Sequence, residues 1–340
     1  MLSSSSNDMC NKGLGKNEIS ISEPQGKKKT SDDRPCKIRR TSSLSYIRNL
    51  PADCLHLIFK CLKTREDSNS FGLTCRQWHH IQNNSVESLL LHYSKYSSDG
   101  NFLEVLCKML CRFPHLKNLC VIFREKKMRL PEITNSGIAD KGLEALAKCC
   151  LLLEKVTLVD CDSITDSGVS FLLRNCRKLS TLILYSCNNI TGIGFLGCPQ
   201  TLTQLEADKF KLTPEGIGAI VSGGGLEYLR LFENAAKVNT ETIMTISKGC
   251  PLLKELSLSD CEEVELQGWQ AIGQNCKNLE LLLVLECKKL RDMGLEALRN
   301  RYNKFSIFSA DGGDNCTFTV RCRDNSYIRM HIVTLGYFIH

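Results

Sequence analysis

One pattern, L-x-x-L-x-L-x-x-C, recurs along this chain and constrains its fold more than anything else in it. Full copies are Leu153-Val156-Leu158-Cys161, Leu179-Leu182-Leu184-Cys187, Leu253-Leu256-Leu258-Cys261 and Leu279-Leu282-Val284-Cys287. Weaker copies are Leu116-Leu119-Val121, Leu202-Leu205-Ala207-Phe210 and Leu226-Leu229-Leu231-Asn234. The first positions fall at 116, 153, 179, 202, 226, 253 and 279, so the steps are 37, 26, 23, 24, 27 and 26 residues. Within each copy the L-x-L alternation reads as a short strand with its leucines on one side. A helix signal follows. Ile164-Thr165-Asp166-Ser167-Gly168-Val169 leads into Phe171-Leu172-Leu173, and Ile138-Ala139-Asp140-Lys141-Gly142-Leu143 leads into Leu146. Thr165 and Asp166 are residue types that cap a helix start. A unit of one strand, one turn and one helix cannot bury its apolar face alone, whereas stacked units share a continuous core. The expected fold class is therefore α/β, a solenoid of about seven units over residues 112–300. The long first step holds an extra basic loop, residues 124–135.

Side chains alternate along a strand, so the residues between the core leucines face outward on the concave side. In the middle units these include Tyr185, Glu206, Asp208, Tyr228, Arg230 and Phe232. Protein-binding hot spots are enriched in Tyr, Trp and Arg, which makes this group the candidate partner-binding face. The alternative is a set of unconnected surface residues. Residues 301–340 fit the repeat poorly. Phe305, Ile307 and Phe308 could begin another strand, and residues 327–340 are apolar without turn punctuation, which suits an improvised end cap or the tail of a shortened form.

Catalytic and metal chemistry finds little footing. The 20 cysteines are spaced by the repeat rather than in facing C-x-x-C pairs, so they suit small buried positions better than zinc. No apolar signal-peptide core is present at residues 1–10, and reduced thiols of cytosol or nucleus are the expectation. Gly192-Ile193-Gly194-Phe195-Leu196-Gly197 matches the phosphate-cradling G-x-G-x-x-G, but Cys198-Pro199 follows where a helix must begin, so it reads as a clipped helix. His56, His79, His80, His92 and His115 form no metal or triad pattern. No apolar run reaches the roughly 18 residues of a membrane span. The expected cofactor list is empty.

Net charge is +7 and lies at the ends. Residues 1–44 hold nine Lys/Arg against five Asp/Glu, and residues 301–340 hold five against three, so the body is close to neutral. That argues against nucleic acid as the partner of the repeats. Residues 1–44 have almost no apolar periodicity and read as a disordered basic arm. Lys27-Lys28-Lys29 and Lys37-Ile38-Arg39-Arg40 suit either a nuclear import signal or a solvated tail, and Arg39-Arg40-Thr41-Ser42 suits a basic-directed kinase.

Residues 45–85 form a distinct unit. Pro51 suits a first helical turn. Leu55, Ile58, Phe59 and Leu62 then follow at i, i+3, i+4 and i+7, and two further short segments carry Ser70, Phe71, Leu73 and Cys75, Arg76, Trp78, Ile81. Three helices this short bury little and call for a partner. Asn69 and Gly72 weaken the middle segment, which is expected to be loose until bound. Residues 86–111 are expected to be connecting or capping helices.

The set Leu50-Pro51, Asp53, Leu55, Ile58-Phe59, Leu62, Asp67, Leu73, Cys75-Arg76 and Trp78 resembles the F-box, and the downstream units resemble the cysteine-containing leucine-rich repeats that accompany F-boxes in plants. The resemblance implies a non-catalytic substrate receptor of a Skp–cullin–F-box ubiquitin ligase, in nucleus, cytoplasm or both. Leu50, Pro51, Leu55, Ile58, Phe59, Leu62, Leu73 and Trp78 would bind the Skp-family adaptor, and through it a cullin. The repeats would hold an unidentified target protein. They are too few to close the horseshoe of the family's hormone receptors, so no small-molecule co-ligand is expected. The alternatives are an adaptor-bound scaffold that sequesters a partner, or a nuclear nucleic-acid-associated factor using the basic arm.

Overall fold

The computed structural model describes residues 18–21, 50–94, 108–124, 140–232, 238–258, 261, 263–285, 304–308, 315–321 and 327–333. Three helices, α1 (Ala52–Cys61), α2 (Arg65–Thr74) and α3 (Arg76–Ser85), form one small unit. Leu55, Phe71 and Ile81 are their buried core, with Leu50, Phe59, Leu62 and Trp78 packed around it. Phe71 stacks on Trp78 at 4.3 Å and meets Phe59 at 5.2 Å. Helix α2 spans the segment that carries Asn69 and Gly72. Thr64 caps it by accepting the Asp67 N–H at 3.0 Å. Gly72 lies against the end of the Gln82 side chain, whose Nε2 donates to the Ser68 carbonyl at 3.0 Å.

The described residues also form a twelve-stranded sheet. Its parallel part runs in chain order through β1 (Glu18–Ile21), β2 (Ser88–Ser94), β3 (Asn118–Arg124), β4 (Lys155–Val159), β5 (Thr181–Tyr185), β6 (Gln204–Asp208), β7 (Tyr228–Phe232), β8 (Glu255–Leu258) and β9 (Leu281–Leu285). Helices α4 (Asp140–Cys149), α5 (Asp166–Asn175), α6 (Pro214–Val221), α7 (Thr240–Gly249) and α8 (Leu266–Asn275) alternate with the strands, as expected of a leucine-rich-repeat solenoid. One apolar core runs from Val86 to Leu282 without interruption. Each unit hands its backbone to the next: Thr181 N–H donates to the Glu154 carbonyl at 3.0 Å, Gln204 to Ser180 at 2.9 Å, and Tyr228 to Thr203 at 2.9 Å.

Both ends depart from expectation. Residues 88–94 are a strand, not part of a capping helix, because Leu89 and Leu91 alternate into the core. Within the arm expected to be disordered, Glu18–Ile21 pairs in parallel with β2; its Ile19 and Ile21 carry a strand alternation too short to stand out in a polar segment. The rest of the arm, with both basic clusters, lies outside the described residues, as does the loop after Arg124. At the other end, β10 (Lys304–Phe308), β11 (Asn315–Arg321) and β12 (Tyr327–Val333) form an antiparallel meander whose last strand lies parallel to β9. The meander covers the edge of β9 and leaves β10 as the outermost strand. Cys111 and Cys149 lie side by side, with Cα atoms 5.1 Å apart.

Candidate functional site

The thiols of the repeat are structural. Cys150, Cys176, Cys187, Cys250, Cys261 and Cys276 are fully buried. Several donate weakly to a carbonyl of the preceding unit: Cys176 to the Cys150 carbonyl at 3.8 Å, Cys187 to that of Leu158 at 3.9 Å and Cys276 to that of Ser247 at 4.0 Å. Burial pushes the Cys176 and Cys198 thiols up to about 11. Burial, with a neighbouring thiol, takes Cys150 and Cys250 to about 12. Neutral thiols of this kind are poor nucleophiles and poor metal ligands. Among the described residues no group of His, Cys, Asp and Glu is arranged to hold a metal ion, and no helix is long and apolar enough to cross a membrane.

The glycine triplet is accounted for in the same way. Residues 193–195 form a single 3-10 turn, entered by Gly192 at φ 96°. Asp166 occupies its N-terminus, accepting the N–H groups of Thr191 and Gly192 at 3.0 Å each and of Gly194 at 2.8 Å. A phosphate would need those donors.

Two surfaces remain. On the three-helix unit, the sequence-selected residues separate into two groups. Pro51, Ile58 (40% exposed) and Leu73 (86%) are presented to solvent. Leu55 is wholly buried, so its place among partner-binding residues is corrected: it organises the unit's core and touches nothing outside. Leu50, Phe59, Leu62 and Trp78 are half-buried and lean on that core, so each can offer only an edge. Leu57, 63% exposed on α1, was missed because it lies off the helical stripe defined by Leu55, Ile58 and Leu62. An exposed leucine opposite a completed core is the signal that would have found it.

The second surface is the concave face of β5, β6, β7 and β8. Register places Tyr185, Asp208 and Phe232 in one row, and Ile183, Glu206, Arg230 and Ser257 in the next. Tyr228 pairs with Gln204 and Glu255 in the third row and is 37% exposed. The six sequence-selected residues are thus neighbours. Two of them differ in role from expectation. Glu206 is buried and accepts the Tyr185 hydroxyl at 2.6 Å. Arg230 is engaged already: its Nε donates to Glu255 at 2.6 Å and its guanidinium lies 3.8 Å from Glu206. Burial, then the Glu206 carboxylate, pushes the Tyr185 phenol well above its usual range. Glu255 and Ser257 on β8, outside the six sequence-selected residues, complete the network at 3.3 Å.

The sequence matches the F-box domain over residues 47–87, which spans all three helices. F-box/LRR-repeat protein 12 of Arabidopsis thaliana is 37% identical over 284 residues, covering 69% of this chain and 72% of that protein. The chain belongs to the F-box/LRR-repeat family. Among solved structures, this F-box/LRR-repeat protein is similar to a chain of the TLR13–ssRNA13 complex, at TM-score 0.44 and 21% identity, covering 62% of this chain and 27% of that one. A chain of the yeast Rad7–Elc1 complex is similar at TM-score 0.37 and 16% identity, covering 76% and 74%.

Proposed function

We propose that this F-box/LRR-repeat protein is a substrate receptor of a Skp–cullin–F-box ubiquitin ligase, with no catalytic residues of its own. The observation that carries the reading is the division of labour in the F-box. Leu55, Phe71 and Ile81 complete its core, yet Leu57, Ile58 and Leu73 stay exposed on so small a unit. Apolar side chains left out of a finished core suit burial against a partner, here the Skp-family adaptor, which in turn holds the cullin. Fully burying an exposed side chain of this size is worth at most about 1.5–3 kcal/mol, and Leu73, 86% exposed, has the most left to bury. The continuous core from Val86 onward gives the repeats a fixed shape on which the concave residues hold a target. The ligase then works by proximity, raising the effective concentration of target lysines near a ubiquitin thioester. Action in the nucleus, the cytoplasm or both is compatible with this role.

Calorimetric titration of the purified chain with a Skp-family adaptor tests the first half. Wild type is expected to bind, and Ile58→Asp with Leu73→Asp to abolish binding while circular dichroism stays unchanged. A folded double variant that binds as tightly as wild type would sink the assignment.

A further inference from the structure

Proximity and access meet at Cys111 and Cys149. Cys111 lies in the turn at residues 111–112, and Cys149 is the last residue of α4. Each is placed by buried neighbours: Leu110 and Phe113 anchor the turn in the solenoid core, and Leu146, Ala147 and Cys150 anchor the helix end. The Cys150 thiol also donates to the Leu110 carbonyl at 3.9 Å, which ties turn to helix directly. Packing thus holds the two residues together whether or not their thiols are bonded. Their Cα atoms are 5.1 Å apart, inside the roughly 4.4–6.8 Å that a disulfide spans.

Access separates this pair from the repeat thiols. Cys111 is exposed and Cys149 half-buried, so a small oxidant in solution reaches the first and leaves the second to resolve the bond. Cys150, Cys176 and Cys250 are fully buried and held protonated by their surroundings. Cys54 and Cys61 are exposed, but seven residues along one helix sets them about 10.5 Å apart, too far to bridge. The position of the pair gives a bridge something to act on. Arg112, next in the chain to Cys111, contacts the ring of His79 on α3, so this turn touches the F-box on one side and the first solenoid helix on the other.

We propose that Cys111 and Cys149 are a redox-responsive clasp at the joint between F-box and solenoid, open under reducing conditions and closed by exchange with a small disulfide such as oxidised glutathione. The Cys111 thiolate attacks one glutathione sulfur and expels a glutathione thiolate, leaving a mixed disulfide. The Cys149 thiolate then attacks the Cys111 sulfur and expels the second. The protein gives up two electrons and two protons, and one oxidised glutathione becomes two reduced molecules. Closure links residues 38 apart in sequence, with β3 and nearly all of α4 inside the loop. A bridge of that span restricts the unfolded chain and so stabilises the fold, while pinning the turn that carries Arg112.

The test places the purified full chain in glutathione buffers running from an excess of the reduced form to an excess of the oxidised form. Remaining thiols are then alkylated and the peptides mapped by mass spectrometry. Toward the oxidised end a Cys111–Cys149 cross-linked peptide should appear, lighter by two hydrogens than its two parts, and should vanish on return to reducing buffer. In the bridged form amide exchange at residues 108–113 and in the last turn of α4 should slow, and the denaturation midpoint should rise. Cys111→Ser, on an exposed residue, should show neither response. Should that variant misfold, the wild-type peptide map still decides whether the bridge forms, and Cys149→Ala supplies the control. Absence of the bridge at the oxidised end overturns the proposal, as does a glutathione adduct that persists on Cys111 in its place. A bridge that survives a large excess of reduced glutathione overturns the switch, and one that forms without slowing exchange at the turn overturns its action on the joint.

Discussion

The carboxylate of Asp166 accepts the backbone N–H of Gly194 from the next repeat unit at 2.8 Å. The same carboxylate takes the Thr191 hydroxyl at 2.7 Å, and Asp140 does likewise one unit earlier, accepting the Thr165 N–H at 2.8 Å and its hydroxyl at 2.6 Å. These aspartates open their helices and stitch each unit to its successor. They also explain why a phosphate-binding signature in this chain is not a phosphate site.

Asp166→Ala should therefore destabilise the solenoid by about 3 kcal/mol, because it strands three partly buried N–H groups. Asp166→Asn, which keeps one acceptor oxygen, should cost about half as much. Chemical denaturation followed by circular dichroism measures both. A midpoint unmoved by Asp166→Ala would remove the aspartate from the list of unit-to-unit contacts.

The buried thiols set a pH dependence. Cys150 and Cys250 are held at about 12, and Cys176 and Cys198 at about 11, against the 9.0 of an ordinary thiol. The folded protein thus keeps protons that the unfolded chain releases. The stability this confers is complete below about pH 9 and is lost as pH rises toward 11–12, at on the order of 1 kcal/mol per pH unit for each thiol. Thermal melts should show Tm falling more steeply above pH 9 in wild type than in Cys150→Ala with Cys250→Ala. Equal slopes would contradict the assignment. In the folded protein a thiol reagent should reach the exposed Cys54 and Cys61 and leave the buried cysteines unmodified.

Within the F-box, Leu55 and Leu73 should separate folding from binding. Leu55→Ala opens a cavity in the unit's core and should cost about 2–5 kcal/mol, visible as a lowered first transition on heating. Leu73→Ala, on a side chain 86% exposed, should leave that transition in place and weaken adaptor binding by at least tenfold. The reverse pattern would mean that the two leucines have been assigned to the wrong faces.

The repeat was legible in the sequence because its physics is local and periodic: Leu182, Leu184, Leu205 and Leu229 announce core strands by alternation alone. The concave neighbours Tyr185, Asp208 and Phe232 were legible for the same reason, since a shared register follows from a shared spacing. What those residues do to one another was not. Spacing brings Arg230 beside Glu206, but only packing shows the guanidinium turned onto Glu255. Leu55 was grouped with its exposed neighbours because a helical stripe marks an apolar face without saying which side chains reach the core. Strand β2 was missed because Leu89-Leu90-Leu91 lacks alternation: Leu89 and Leu91 enter the solenoid core, while Leu90 packs with Cys120, Ile122 and Val159 on the opposite face.

The central claim is that one end of this chain grips a ligase while the other holds its target. Affinity capture from cells with the proteasome inhibited, comparing wild type with Ile58→Asp and Leu73→Asp, tests it most directly. Skp-family adaptor and cullin should vanish from the variant's capture, while a common set of target proteins remains and accumulates in ubiquitin-poor form. Retention of adaptor and cullin by the variant, or targets that show the same ubiquitylation with either form, would contradict the account.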